Sequence, residues 1–274
     1  KVNQFVVQDA VAATLCGTTV GTFIGLTRDL PQIRALGDFQ PARVSRLYDI
    51  DGQLIGEFYA EKREPVPLEA IPPLLVTALL TTEDRKFYSH YGVDVRGILR
   101  AIVKDVQARR FAEGASTLTQ QLAKTLFLTP RKTLVRKLKE AILALQLERR
   151  YTKAELLTLY LNQVYFGSGA YGVAAAAETF FGKKLGALSL AECALIAGMP
   201  KAPSRYSPLV NPALARKRRD IVLDQMHATK AISTTAYHSA KAEELQVRER
   251  RDRKRKAPYF VDHVRDELET MVGT

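Results

Sequence analysis

The chain has 274 residues, 46% of them apolar, enough to bury a substantial core in one or two domains. Its formal net charge of +12 points to an anionic partner: nucleic acid, anionic lipid or a phosphorylated substrate. Charge alone does not choose among them. The two cysteines, Cys16 and Cys193, stand far apart in apolar surroundings and read as buried small residues rather than a disulfide.

Residues 10–27 carry no formal charge, a run long enough for a transmembrane helix. Gly17, Gly21 and Gly25 recur every fourth residue and would line one face, a pattern that lets membrane helices approach closely. The same glycines and threonines would make a poor soluble helix. A cleaved signal peptide is disfavoured, because the basic leader is nearly missing and no small-residue cleavage site follows closely. A membrane anchor is therefore expected over residues 1–28, followed by a connector and hairpin over 29–72. In the latter, two β-prone runs flank Asp51-Gly52, a strong hairpin signal.

From Pro72-Pro73 onward the pattern turns helical. The expected helices are 73–86, 94–110, 116–128, 133–150, 153–165, 170–181, 189–198, 212–228, 232–246 and 258–271. In the helix over 133–150, Leu134, Leu138, Ile142 and Leu145 form the expected buried stripe. The basic run from Arg248 to Lys256 reads as a solvated linker, with contact to anionic lipid headgroups as the sharper alternative. Neither Ser-x-x-Lys nor Lys-Thr-Gly occurs, so the acyl-transfer chemistry that uses those motifs has no nucleophile here.

Three blocks carry the chemistry. The first is Glu83-Asp84-Arg85-Lys86-Phe87-Tyr88-Ser89-His90-Tyr91-Gly92, with spacing E-D-x-x-F-x-x-H-x-G. Two carboxylates at the end of an apolar helix need partners if they are buried, and the closing glycine allows a sharp turn. The second is Gly114-Ala115-Ser116-Thr117-Leu118-Thr119-Gln120-Gln121-Leu122-Ala123-Lys124. Thr117 with Gln120 fits a capping box, and the helix start it marks can offer N–H groups to a phosphate. Gln121 and Lys124 share a face. The third, Arg136-Lys137-Leu138-Lys139-Glu140, sets a carboxylate within one turn of two cations.

Together these blocks resemble the active-site signature of the peptidoglycan glycosyltransferases, the transglycosylase domain of class A penicillin-binding proteins. Residues 153–167 and 218–226 resemble the family's fourth and fifth motifs, and most of those residues read as core packing and helix capping. Residues 257–265 resemble the start of the connector to a transpeptidase domain. The resemblance covers roughly residues 44–265, with the blocks in family order.

The resemblance implies a mainly α, lysozyme-like two-lobed helical domain with a small β-hairpin and an N-terminal transmembrane helix. One lobe would be partly embedded in the membrane. The glycosyltransferase domain would occupy 73–246, with a basic linker and the connector toward a transpeptidase over 247–274. The implied reaction polymerises lipid II into β-1,4 glycan strands with inversion, releasing undecaprenyl pyrophosphate. Glu83 would be the general base and Glu140 the second catalytic carboxylate. Substrate would be bound by Asp84, Phe87, His90, Ser116, Thr117, Gln120, Gln121, Lys124, Lys132, Arg136, Lys137 and Lys139. No metal-ligand cluster is visible, so no cofactor is required by the sequence; a divalent cation such as Mg2+ or Mn2+ would be held largely by substrate phosphates. The implied partners are lipid II, the growing glycan chain, the bacterial membrane and cell-wall synthesis proteins, but not nucleic acid. The place is the bacterial inner membrane, single-pass, with the catalytic domain on the extracytoplasmic side.

Two departures from the family pattern stand out: Thr125 where asparagine is usual, and Lys132 where an arginine is common. Lysine keeps the charge but loses the bidentate fork for phosphate. A lysozyme-like glycoside hydrolase is the rival reading, since it also uses two carboxylates. Its leaving group is a sugar hydroxyl, which does not need a cluster of cations. A basic helical nucleic-acid binder would explain the charge but neither the anchor nor the first block.

Overall fold

A computed structural model describes residues 30, 45–58, 62–100, 116–129, 131, 133–248, 260, 263, 264 and 267. The expected anchor over 10–27, Cys16, Lys132, Gly114 and Ala115 lie outside the described residues. So do the rest of the basic run after Arg248 and most of the segment expected to be helical over 258–271. In chain order the elements are β1 (Ser45–Tyr48), β2 (Leu54–Phe58), β3 (Lys62–Arg63), α1 (Pro73–Glu83), α2 (Leu118–Phe127), α3 (Leu134–Arg150) and α4 (Lys153–Gln163). These are followed by β4 (Tyr165–Gly167), β5 (Ala170–Tyr171), α5 (Val173–Phe181), α6 (Leu190–Gly198), α7 (Pro203–Tyr206), α8 (Pro212–Ala228) and α9 (Thr234–Ala242). Residues 95–100 are also helical, as far as that stretch is described. The fold is mainly α, as expected.

Contacts divide the chain into two compact units, one containing Tyr91–Tyr151 and the other Gln40–His90 and Thr152–Thr274. The larger unit is built on α1, α6 and α8, which pack on one another. Pro73 starts α1, where its missing N–H costs nothing. The helix then buries Leu75, Ala78 and Leu79, while α8 buries Val222, Leu223 and Met226. Most of α6 is buried small or apolar residues, from Ala191 to Gly198. Its last residue is a glycine for a steric reason: a Cβ at Gly198 would stand 2.9 Å from Arg218 Cγ. Capping boxes open α4 at Thr152 and Glu155 and α6 at Ser189 and Glu192. Asn162 pairs with the segment before α1 as a strand would, donating to Val66 O at 2.8 Å and accepting from Val66 N at 2.9 Å.

The Asp51-Gly52 hairpin forms as read, with β1 antiparallel to β2 and Ser45 opposite Phe58. The Asp49 carboxylate holds the turn by accepting from the N–H groups of Asp51 and Gln53. A second sheet, of order β3-β5-β4, has β3 parallel and β4 antiparallel to β5. Those two short strands replace the facing ends of the helices expected over 153–165 and 170–181. Tyr165 and Phe166 are strand formers, and Gly167 at the end of β4 and Gly169 before β5 both sit at positive φ, so the helical pattern breaks there.

In the smaller unit α2 packs on α3. Leu118, Leu122 and Ala123 of α2 are buried, as are Glu140, Leu143, Ala144 and Leu147 of α3. This corrects the expected stripe on α3: Leu134, Leu138 and Leu145 are exposed and Ile142 is only half-buried. The buried ladder runs i, i+3, i+4, i+7 from Glu140 rather than along the expected leucines. A charge inside the packed face disguises that face in a hydropathy reading. Gly92 also belongs to this unit. At φ +80° its Cβ would come 2.7 Å from Ala144 O, so no other residue fits where the first block closes against α3.

Candidate active site

Helix α1 stops earlier than the expected residue 86. Glu83 is its last residue, and Asp84 leaves helical geometry at φ −158° and ψ 79°. The reason is the Asp84 side chain, which turns toward His90: Nε2 lies 2.9 Å from Oδ2 and 3.2 Å from Oδ1, both groups buried. Between them Phe87–Ser89 form one 3-10 turn, with Phe87 N–H donating to Asp84 O at 3.1 Å. Phe87 is only 1% exposed and meets the His90 ring edge-on, with centroids 6.3 Å apart. His90 Nδ1 is buried without a hydrogen-bond partner.

Glu83 stands beside a cation from the far end of the sequence. Arg218 Nη2 lies 3.4 Å from Glu83 Oε1, with both side chains largely buried. Arg218 Nε donates to Gly198 O at 2.8 Å, and its guanidinium lies 5.7 Å from the Tyr206 ring centroid. The carbonyl of Gly198 thus fixes the fork, and the missing side chain there leaves room for its stem. Tyr160 on α4 is fully buried. That burial, reinforced by the negative charges of Glu83 and Asp84, raises its phenol well above the ordinary value, so the group stays a neutral O–H.

The smaller unit assembles the second and third blocks. Thr117 caps α2, and its N–H is accepted by Gln120 Oε1 at 3.0 Å. Thr117 Oγ1 donates to Gly92 O at 2.6 Å, joining the end of the first block to the second. Thr117 and Gln120 are buried in this structural work, whereas Lys124 is exposed and Gln121 half-buried. On α3, Glu140 is 3% exposed and both its oxygens are taken. Arg136 Nη1 donates to Oε1, and Lys137 Nζ lies 2.8 Å from Oε2. The same ammonium donates to Ser116 Oγ at 2.5 Å. Ser116, Arg136, Lys137 and Glu140 therefore form one cluster with a net positive charge. Lys139 is half-buried on the same helix, and Arg136 Nε is buried without a hydrogen-bond partner.

Glu140 is already neutralised by two cations. Among the described residues no group of three or more His, Cys, Asp or Glu side chains could hold a metal ion. A carboxylate beside a fixed guanidinium can exchange a proton, and a cluster with excess cation can hold a diphosphate. The contact of Arg218 with Glu83 escapes sequence reasoning, because its block reads as packing. The signal was present, since the buried positions of α8 (Ala215, Arg218, Arg219, Val222, Leu223, Met226) include two arginines.

Known proteins resemble this chain over nearly all its length. Penicillin-binding protein 1A of Aquifex aeolicus is 41% identical over 258 residues, covering 92% of this chain and 35% of that protein. The Escherichia coli protein of the same name is 40% identical over 269 residues, covering 96% and 31%. The crystal structure of penicillin-binding protein 1A from Haemophilus influenzae matches with a TM-score of 0.52 at 29% identity, over 86% of this chain and 25% of that one. The chain spans about a third of the length of the curated relatives it matches. The transglycosylase family's own model matches residues 51–227, which run from the hairpin turn through Arg218, and the chain belongs to that family.

Proposed function

We propose that this chain is a peptidoglycan glycosyltransferase that polymerises lipid II into β-1,4 glycan strands. Glu83 is the general base: it takes the proton from the acceptor sugar's 4-hydroxyl as that oxygen attacks the donor's anomeric carbon. The configuration inverts and undecaprenyl pyrophosphate leaves. Arg218 orients the Glu83 carboxylate. The Ser116, Arg136, Lys137 and Glu140 cluster, with Lys124, Lys132 and Lys139, balances the charge of the leaving diphosphate. Glu140 acts in this reading by fixing the two cations rather than by moving a proton. Any divalent ion would arrive with the phosphates. Asp84, Phe87 and His90 set the shape of the loop that follows the base, and Gln121 reads the polar edge of a sugar ring.

The observation that carries this reading is the carboxylate of Glu83 held against Arg218 at the end of α1. We place the domain boundaries at 1–28, 29–72, 73–246 and 247–274. Residues 10–27 would anchor the chain in a bacterial inner membrane, with a lysozyme-like catalytic domain outside the cytoplasm, among other cell-wall synthesis proteins. Purified protein incubated with labelled lipid II tests the function. Ladders of lengthening glycan are expected, with no digestion of soluble glycan. Digestion without polymerisation would establish the hydrolase instead.

A further inference from the structure

The loop after Glu83 is closed on itself by the Asp84–His90 pair, yet that pair does not fix where the loop lies. Something outside it must. Lys153, the first residue of α4, reaches the loop from outside it. Its ammonium donates to His90 O at 2.7 Å. The same nitrogen stands 4.5 Å from the centroid of the Phe87 ring. A charge-assisted hydrogen bond and a cation–π contact thus converge from one atom on two positions of one loop. Phe87 is buried, so the ammonium meets a ring face screened from water.

Helix α4 is itself well anchored. The capping box at Thr152 and Glu155 fixes its start beside Lys153. Leu156, Leu157 and Tyr160 continue the face into the core, and Asn162 binds the segment before α1 at its other end. The loop is therefore clamped to a rigid helix at Lys153, while α1 enters the same loop from Glu83.

We propose that Lys153 is a positioning residue for Glu83, acting through residues 84–90 by holding Phe87 and the His90 carbonyl against α4. The proposal rests on the reading of Glu83 as the base. Without the ammonium, His90 O loses its donor and Phe87 its cation. The 3-10 turn can then shift, and Asp84 and Glu83 shift with it. Substrate contacts made elsewhere are untouched, so the loss falls on turnover rather than on binding.

The test uses the whole chain in lipid II polymerisation, with kcat and KM measured separately and amide hydrogen exchange followed over residues 85–90. Lys153→Met keeps the length of the stem and removes the charge and donor. It is expected to lower kcat about 10- to 100-fold, the scale of a small misplacement at a reacting centre, with KM held within about twofold. Amides 85–90 should exchange faster while those of α8 do not change. Lys153→Arg, which keeps the cation and its donors, should recover most of the loss. Unchanged kcat in Lys153→Met would overturn the proposal. So would a loss of kcat without faster exchange at 85–90, or an arginine variant no better than methionine. If Lys153→Met does not fold, Phe87→Leu removes the ring face at similar apolar volume and must show the same kcat loss and local exchange; parental kcat there overturns the proposal. Failure of the base reading is distinct, because Glu83→Gln would then turn over normally while Lys153→Met still loosened 85–90.

Discussion

Glu83, held against Arg218 at the end of α1, is the residue on which the proposed chemistry is tested first. Glu83→Gln keeps the shape and a hydrogen bond to Arg218 but cannot take a proton. It is expected to cost about 10²–10⁴-fold in turnover of lipid II with an unchanged fold by circular dichroism, and near-normal turnover would remove it from the mechanism. Glu140 and Lys137 separate differently. Glu140 is buried with two cations on it, so Glu140→Gln leaves charge poorly paired and should cost about 1–3 kcal/mol of stability as well as activity. Lys137 is nearly half exposed, so Lys137→Ala should lose activity about 10²-fold while its thermal melt stays close to the parent's. Measuring both properties for both variants decides whether this cluster acts on substrate or only braces α3. The sequence made Glu83, Asp84, Phe87 and His90 legible because they are close together with a fixed spacing. Arg218 was not legible, because 135 residues separate it from Glu83 and only the folded chain brings them together. Glu140 was legible as part of a charged cluster but not as a buried residue.

Among elements, helices with sharp chemical ends were the easiest to read. Pro212 and the Asn211 cap fix the start of α8, and its bounds agree with those expected. The strands β4 and β5 were hidden, since two or three residues give no alternation to detect. The hairpin of α8 and α9 offers a test of its own. Lys241 lies 2.8 Å from Asp224 Oδ1, and Tyr237 donates to the same oxygen at 2.7 Å. These hydrogen bonds hold the Asp224 carboxyl below its ordinary value of 3.8. A depressed carboxyl stabilises the fold above its unfolded pKa, and the gain fades as pH falls through the folded value. Both groups are substantially exposed, so the contribution at neutral pH should be under about 1 kcal/mol. Asp224→Asn should therefore melt slightly below the parent at neutral pH, and the gap should close in acid as the carboxyl protonates below its ordinary value. A gap that persists there would mean the carboxylate's charge is not what holds the hairpin.

At the scale of the whole molecule, the division into two units leaves each with part of the expected machinery: Glu83 and Arg218 in one, and Glu140 with its cations in the other. The expected anchor gives the whole-chain prediction. Deleting residues 1–28 should release the protein from the class that only detergent extracts, while its basic surface still adheres to anionic vesicles at low salt. Release of the undeleted chain by high salt alone would show that residues 10–27 do not span. One buried atom lends itself to a different use. Cys193 lies in the middle of α6, fully covered, and burial first, then the charges of Glu192 and Glu243, pushes its thiol up to about 12. At neutral pH the reactive thiolate is then only about 10⁻⁵ of the population, and no reagent can reach it in the closed fold. In a Cys16→Ser background, alkylation of Cys193 becomes a stopwatch for the opening of α6, the helix whose last residue makes room for Arg218. Mass spectrometry of the labelled fraction over time would read how often the scaffold behind Glu83 comes apart, without any substrate present.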